Sequence, residues 1–481
     1  MNGLEVTRPR NLASVTRMVL RARLSSASHE RVTVGLTILG FAVATWLLMT
    51  MAGGTWMLYS RSIDPPGLLA DMLERDESFR FMLQIYVILA VIACAFTLAP
   101  LCMLAAGAAR MGAHATSRRL AVLRLIGLSS REVTRIAVTE TAVLGIIGGL
   151  TGSAIYAVSL PAWGFLSIEA VRIEPVTMLL PFPLFASIFV ATILMGILSS
   201  FIGLLRVRIS PLGVAKRQMP KPLKAWRLLV LVVAIGLYFS VAPMLLTKYG
   251  VDNVWPIMIF ATVLAGIVLA VNIVAPWVLQ LCARACSHLP FPAAMTAFRR
   301  IERDPRGTWR RVGSVALVCF VAGAVGVKPV VGAAVNDSMP NDVKRIHLAF
   351  DTDLALGLAI TLAIVFIAVA IMTVTTAVTS IYEQAPQAQA LHRLGVRVGF
   401  HTRVAWLELV LPLLLAATTL PLGFVTSRPM QEAAEKFAHT HGNSVPVLTA
   451  VAAGIGVVLA AQFLVEPLRR QTALAHVRSN D

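Results

Sequence analysis

The residues best suited to binding chemistry form a basic segment about a quarter of the way along the chain. Arg118, Arg119 and Arg124 precede Gly127 there, and Leu123 lies on an apolar side of the same segment. Guanidinium groups donate charge-assisted hydrogen bonds to carboxylates, and a glycine suits the left-handed residue that ends many helices. The pattern predicts a short, rigid helix that presents positive charge to an acidic partner.

Ser129 and Glu132 follow this segment with the spacing of a capping box. In a capping box the serine hydroxyl accepts from the backbone N–H three residues later, and the glutamate accepts from the backbone N–H of the serine. The spacing predicts that the next helix begins here and continues into an apolar stretch.

Two glutamates, Glu140 and Glu408, lie about one turn inside apolar stretches. A carboxylate near the membrane surface costs less than the roughly 2.5–3.5 kcal/mol expected for a charge at the bilayer centre. We predict that both are gate or coupling residues. The alternative is that each is an interfacial carboxylate paired with a nearby arginine.

Four glycines, Gly145, Gly148, Gly149 and Gly152, follow Glu140 along the same apolar stretch. They give two overlapping small-xxx-small spacings, which permit close approach of two helices in a membrane. We predict that they pack helices together.

Two groups of residues have metal-ligating side chains: Cys282, Cys286 and His288 at the end of an apolar stretch, and His439 with His441 in a polar one. Neither spacing fits a standard zinc motif, so we expect no metal. The sequence contains no G-x-x-x-x-G-K-S/T loop and no hydrolase constellation. We therefore expect no catalytic site and no bound nucleotide in this chain.

The elements that position these residues must be embedded in lipid. Of the 481 residues, 57% are hydrophobic and only 14% are charged, which is too apolar for an ordinary soluble fold. The net charge of +18 could suit nucleic acid. Its placement in loops between apolar stretches instead indicates contact with anionic membrane lipids, so we expect no nucleic-acid partner.

Ten stretches approach or exceed the roughly 20 apolar residues that a spanning helix requires. The sequence therefore predicts an all-α integral membrane protein with about ten transmembrane helices, at residues 33–58, 81–107, 136–160, 179–205, 228–247, 256–281, 312–334, 354–380, 405–426 and 445–465.

Lys and Arg concentrate in alternate loops and in both terminal segments. By the positive-inside rule these segments are cytoplasmic. We expect a multi-pass protein of the bacterial cytoplasmic (inner) membrane with both termini in the cytoplasm. Basic, partly amphipathic stretches at 11–31 and 294–311 are predicted to lie as helices at the membrane interface.

The chain also contains an internal repeat. At an offset of 268 residues, the segment 123–140 pairs with 391–408, and the identical pairs include Leu123 with Leu391, Gly127 with Gly395 and Glu140 with Glu408. The repeat predicts parallel copies in a 4 + 2 + 4 arrangement of spans.

The expected domains are a cytoplasmic N-terminal segment with an interfacial helix (1–32), a first four-helix repeat (33–205), a basic loop with two linking spans and a second interfacial helix (206–311), a second four-helix repeat (312–465) and a cytoplasmic tail (466–481).

The segment from Arg118 to Gly152 resembles the cytoplasmic signature of the FtsX-like permease family, in which an arginine-rich helix, a glycine and a turn precede a span with an early glutamate. The ten-span order resembles the fused bacitracin-export and MacB-like type, here without a large extracellular domain. The resemblance implies that the segment docks into an ABC-type ATPase, expected in two copies, which carries the ATP and Mg²⁺. It implies the same role for the second copy, at Gln389, Leu391, His392 and Gly395.

This resemblance implies a permease that couples ATP hydrolysis to export or extraction of a hydrophobic or amphipathic molecule, such as a peptide antibiotic, drug or lipid. One alternative is an FtsX-like permease that transmits a mechanical signal without transporting a substrate, and another is a secondary transporter. The second segment has His392 where the first has Arg124, and it has no Ser-x-x-Glu. We therefore expect the first segment to couple more strongly to the ATPase.

Overall fold

The computed structural model describes residues 28–75, 79–125, 129–169, 171–208, 226–249, 254–325, 341–435 and 445–474. Within these ranges the chain is almost entirely helical. The regular strands in the described part of the chain are β1 (Ser167–Ile168) and β2 (Val171–Arg172), which pair antiparallel.

The helices before residue 209 are α1 (Ser28–Ile63), α2 (Leu68–Arg75), α3 (Phe79–Leu125), α4 (Ser130–Trp163) and α5 (Phe182–Arg208). Those after it are α6 (Trp226–Tyr249), α7 (Val254–Cys286), α8 (Pro292–Arg303), α9 (Pro305–Val325), α10 (Asn341–Arg393), α11 (Val398–Ala417), α12 (Thr419–Glu435) and α13 (Val445–Leu474).

Eight candidate membrane spans lie among the described residues, and together they confirm the all-α, multi-pass membrane class. They correspond to the first four predicted spans and to the sixth, eighth, ninth and tenth. The fifth predicted span coincides with a shorter apolar helix, Trp226–Ser240, and the seventh continues from α9 into residues outside the described part. The count of ten and the 4 + 2 + 4 arrangement therefore stay predictions.

Two helices extend well beyond their apolar spans. In α3 the candidate span ends at Met111 and the helix continues to Leu125, while in α10 the span ends at Ile381 and the helix continues to Arg393. The prediction of a separate short helix around Arg118 is therefore wrong. No proline lies between Met111 and Arg118, so nothing removes a backbone hydrogen bond there and the helix runs on.

The contacts divide the chain into two compact units. Unit 1 contains 1–50, 101–158 and 181–216, and unit 2 contains 51–100, 159–180 and 217–481. In unit 1, α1 packs against α4 so closely that a Cβ at Gly152 would overlap the carbonyl oxygen of Ala42, and one at Gly148 would lie 2.8 Å from the carbonyl oxygen of Ile38. A Cβ at Gly149 would lie 2.8 Å from the Phe189 ring of α5.

Unit 2 is built around α9, which contacts α7, α10, α11, α12 and α13. Its interior is apolar, and fully buried side chains come from five helices: Leu279, Ile301, Val312, Cys319, Ala416 and Val458. The break between α11 and α12 falls at Thr418, three residues before Pro421, because that proline has no N–H to bond the carbonyl of Ala417.

The stretch predicted as one interfacial helix at 294–311 is divided. α8 ends at Arg303 and α9 begins at Pro305, where the Asp304 carboxylate accepts a hydrogen bond from the Gly307 N–H at 2.9 Å. The predicted apolar side of α8 is buried at Phe298 and Ile301, and it packs against α7 and α11. The first such stretch, 11–31, lies outside the described residues except for its last four.

Candidate functional site

The first predicted coupling segment lies at the junction of α3 and α4, in unit 1. Arg118, Arg119, Leu123 and Arg124 are in the last two turns of α3, and Gly127 lies outside the described residues. These four residues thus lie on the part of α3 that continues past the apolar span.

The capping box at the start of α4 forms as the sequence predicted. The Ser129 N–H donates to the Glu132 carboxylate at 2.8 Å, and the Glu132 N–H donates to Ser129 Oγ at 3.3 Å. Two backbone donors that the helix leaves open are thereby satisfied, which fixes where α4 begins.

The second coupling segment lies at the junction of α10 and α11, in unit 2. Gly395 has a φ of 87°, which is the left-handed region that favours glycine. The Val396 N–H donates to the Leu391 carbonyl at 3.0 Å and the Gly395 N–H donates to the His392 carbonyl at 2.9 Å. These two bonds make a Schellman motif, which ends α10 and turns the chain into α11.

The residues at this turn differ in accessibility. Leu394 is 80% exposed, and Arg393 and Arg397 on either side of it are also exposed. His392 is half-buried, and its ring Nδ1 lies 3.3 Å from the Val396 carbonyl oxygen. Gln389 is half-buried as well. An exposed leucine flanked by two arginines was not singled out from the sequence, because exposure at a turn depends on how the two helices emerge.

The two glutamates occupy similar positions within their helices. Glu140 is buried in α4 of unit 1 and Glu408 is buried in α11 of unit 2. Glu408 Oε1 lies 3.2 Å from the Arg300 guanidinium, and its Oε2 lies 4.0 Å from that of Arg311. Arg300 also donates to Gln384 Oε1 at 2.7 Å.

These contacts give Glu408 the arginine partners that the alternative interpretation expected. The ion pair ties α11 to α8 and α9, two helices that lie more than 90 residues earlier in the chain. Arg300 was not predicted as a site residue, since no local pattern relates it to Glu408.

Residues 106–212 match the FtsX-like permease C-terminal family. Over this range the chain therefore carries a domain of the FtsX-like permease family. The matched range contains the first coupling segment, Glu140 and the four glycines of α4. No curated protein matches the chain in sequence. Permeases of this family generally work with an ABC-type ATPase partner.

The permease also has a buried polar cluster in unit 2 that sequence reasoning missed. Arg61 at the end of α1 is 3% exposed and Glu169 in the β1–β2 turn is 2% exposed. The Arg61 guanidinium lies 3.4 Å from Glu169 Oε2, and it donates to the Ile168 carbonyl at 3.1 Å and the Arg172 carbonyl at 3.0 Å. One arginine thus holds both strands of the hairpin.

A second carboxylate completes this cluster. Asp353 Oδ2 accepts a hydrogen bond from the Glu169 N–H at 2.7 Å and another from the Tyr86 hydroxyl at 2.9 Å. Four elements therefore meet at one point: the end of α1, the start of α3, the hairpin and the first part of α10. The bonded pairs are 108, 184 and 267 positions apart, so no spacing in the sequence could reveal them.

Glu169 has two unusual properties. Its φ is 62°, a backbone conformation that residues other than glycine rarely adopt. Burial raises the pKa of its carboxyl to about 7, although the nearby Arg61 opposes the rise. Its Oε1 has no hydrogen-bond partner among the described residues. A carboxylate held in a strained turn and close to half-protonated near neutral pH is a sensitive point of the fold.

The cysteine group considered as a metal site lies at the end of α7. Cys282 and Cys286 are half-buried and carry free thiols. No three His, Cys, Asp or Glu side chains in the described part of the chain come together as a metal site would require. The pair His439 and His441 lies outside that part.

Proposed function

We propose that this chain is the permease subunit of an ABC-type transporter, in which ATP hydrolysis on a separate ATPase drives export or extraction of a hydrophobic or amphipathic molecule. The family match at residues 106–212 carries the proposal, because it contains the basic segment that resembles the family's cytoplasmic signature. Peptide antibiotics, drugs and lipids are the substrate classes that fit.

One helix boundary supports two parallel repeats within the chain. The helices that follow the two coupling segments begin at Ser130 and Val398, which are 268 positions apart. The offset found in the sequence thus recurs at the start of these two helices.

Two such junctions suit a pair of ATPase subunits, one for each half. Each joins a long helix that extends past its apolar span to a helix that returns into an apolar span. A helix of about 13 residues beyond the span reaches roughly 20 Å at 1.5 Å per residue, enough to place the junction outside the headgroup region. In the orientation that the positive-inside rule predicts, the junctions and both termini face the cytoplasm.

The proposal is tested by reconstituting the purified permease with a candidate ABC-type ATPase from the same genome. ATP hydrolysis is then measured with and without amphipathic compounds to which a deletion strain is sensitive. Stimulation by such a compound, together with its ATP-dependent movement across proteoliposomes, is the expected result.

ATP hydrolysis without stimulation by any of these compounds would contradict substrate transport and would favour a permease that transmits a mechanical signal. Accumulation that follows an ion gradient in the absence of ATPase would instead indicate a secondary transporter.

A further inference from the structure

A polar cavity of about 50 Å³ lies inside unit 2, among α8, α9, α10, α11 and α13. Three arginines from three different helices line it: Arg300, Arg311 and Arg469. Arginine side chains seldom converge unless something between them carries negative charge.

The protein's own carboxylates do not fully balance these cations. Arg300 is bonded to Gln384 and Glu408, as described above, and Arg469 pairs with Glu466 at 3.2 Å. Arg311 has only the 4.0 Å contact to Glu408 and makes no hydrogen bond among the described residues. Three arginines thus share two carboxylates, and the Arg311 guanidinium keeps its donors open.

Two further polar atoms at this cavity lack partners. Thr373 is 3% exposed, and its Oγ1 is buried without a hydrogen bond to any described residue. Nε2 of His401 is also buried without a hydrogen bond to any described residue, and both residues line the cavity. Buried polar atoms are almost always satisfied, so two such atoms at one polar cavity point to an occupant with acceptor oxygens.

We propose that this cavity binds a phosphate group. A phosphoryl oxyanion accepts bidentate hydrogen bonds from guanidinium groups, and it could also accept from the Thr373 hydroxyl and from the Nε2–H tautomer of His401. The cavity holds about four water-sized groups at roughly 12 Å³ each, which matches the four oxygens of a phosphate. Its position at the ends of apolar spans makes a phospholipid headgroup or a free phosphate the two sources of such a group.

The binding test uses the purified full-length chain in an uncharged maltoside detergent and phosphate-free buffer. Thermal stability is measured during titration with dioctanoyl phosphatidylglycerol, with dioctanoylglycerol, which lacks the phosphate, and with inorganic phosphate. Saturable stabilisation by the phospholipid alone identifies a headgroup, and stabilisation by inorganic phosphate identifies a soluble anion. Stabilisation by none of the probes, or equally by dioctanoylglycerol, overturns the proposal.

Three variants locate the binding. Thr373→Val keeps the side-chain shape and removes a hydroxyl without a partner, so it should fold normally and bind about fivefold more weakly. Arg311→Gln should bind at least about tenfold more weakly. The matched control is Arg310→Gln, which removes an exposed arginine one position away and should change affinity less than about twofold.

Unchanged affinity in both Thr373→Val and Arg311→Gln would overturn the proposal. So would a loss in Arg310→Gln as large as in Arg311→Gln, since it would show attraction to surface charge and not to the cavity.

Discussion

The buried carboxyl of Glu169 should make the permease less stable as pH rises. Its pKa lies at about 7 in the folded chain, against 4.5 for the same group in water. Between these two values the folded state binds more protons than the unfolded state, so the free energy of unfolding falls with increasing pH. Below about pH 4.5 and above about pH 7, this group causes no further change of the free energy of unfolding with pH.

The magnitude follows from the difference between these two pKa values. It corresponds to about 3 kcal/mol, because a tenfold change in proton affinity is worth about 1.4 kcal/mol. The charged groups that face this carboxyl are Arg61, which favours ionisation, and Asp353, which opposes it. Tyr86 donates to Asp353 and not to Glu169, so it acts only indirectly.

The perturbation that isolates the effect is Glu169→Gln. Glutamine cannot ionise, retains an oxygen that can accept from Arg61 and occupies the same backbone position, so the part of the pH-dependent loss that Glu169 causes should disappear. The matched control is Glu174→Gln, which neutralises an exposed carboxylate shortly after the hairpin.

Unfolding temperature is measured by intrinsic fluorescence on the detergent-purified protein between pH 5 and pH 8.5. The unfolding temperature of the wild type and of Glu174→Gln should fall over this range by on the order of 5 °C. That of Glu169→Gln should fall much less, and it should exceed the wild-type value above pH 7. The reasoning is refuted if Glu169→Gln and the wild type lose stability in parallel.

Two further predictions concern coupling and helix packing. Arg124→Ala should lower ATPase and transport activity of the reconstituted complex by about tenfold. His392→Ala should lower them by about twofold, because His392 is half-buried at its turn. Assembly of the complex is checked separately, and equal losses in the two variants would contradict unequal coupling. Gly152→Ala should lower the unfolding free energy by about 1–3 kcal/mol, because the new methyl group overlaps the Ala42 carbonyl oxygen. The control is Gly35→Ala on α1, where a Cβ would have nothing within 4 Å, so it should be neutral or stabilising by up to about 1 kcal/mol. Similar unfolding temperatures for the two glycine variants would show that the close approach of α1 and α4 at Gly152 is unimportant.

The sequence determined the features that depend on neighbouring residues. Long apolar stretches predicted the membrane class and eight of the spans, because a window of about 20 residues suffices to decide between lipid and water. Ser129 and Glu132 predicted the start of α4, because both bonds of a capping box lie within one turn. The basic signature also predicted the family, which the match at 106–212 confirms.

Local patterns were misleading where a helix simply continues. The apolar stretch ends near Met111, and the sequence suggested that a new helix starts near Arg118. Hydropathy reports the boundary of the membrane, whereas the end of a helix depends on backbone hydrogen bonds and capping. The two boundaries are more than ten residues apart in α3, and the same is true of α10.

Only the tertiary structure decided which charges meet. Glu408 was identified from its sequence position, but its partner Arg300 lies 108 residues earlier, and Arg61 meets Glu169 across the same number of positions. Such pairs form because helix packing brings together segments with no fixed spacing, so neither periodicity nor a motif contains the information. Burial then decides their chemistry: it removes water from Glu169, and it leaves Thr373 and His401 beside a cavity whose arginines come from three separate helices.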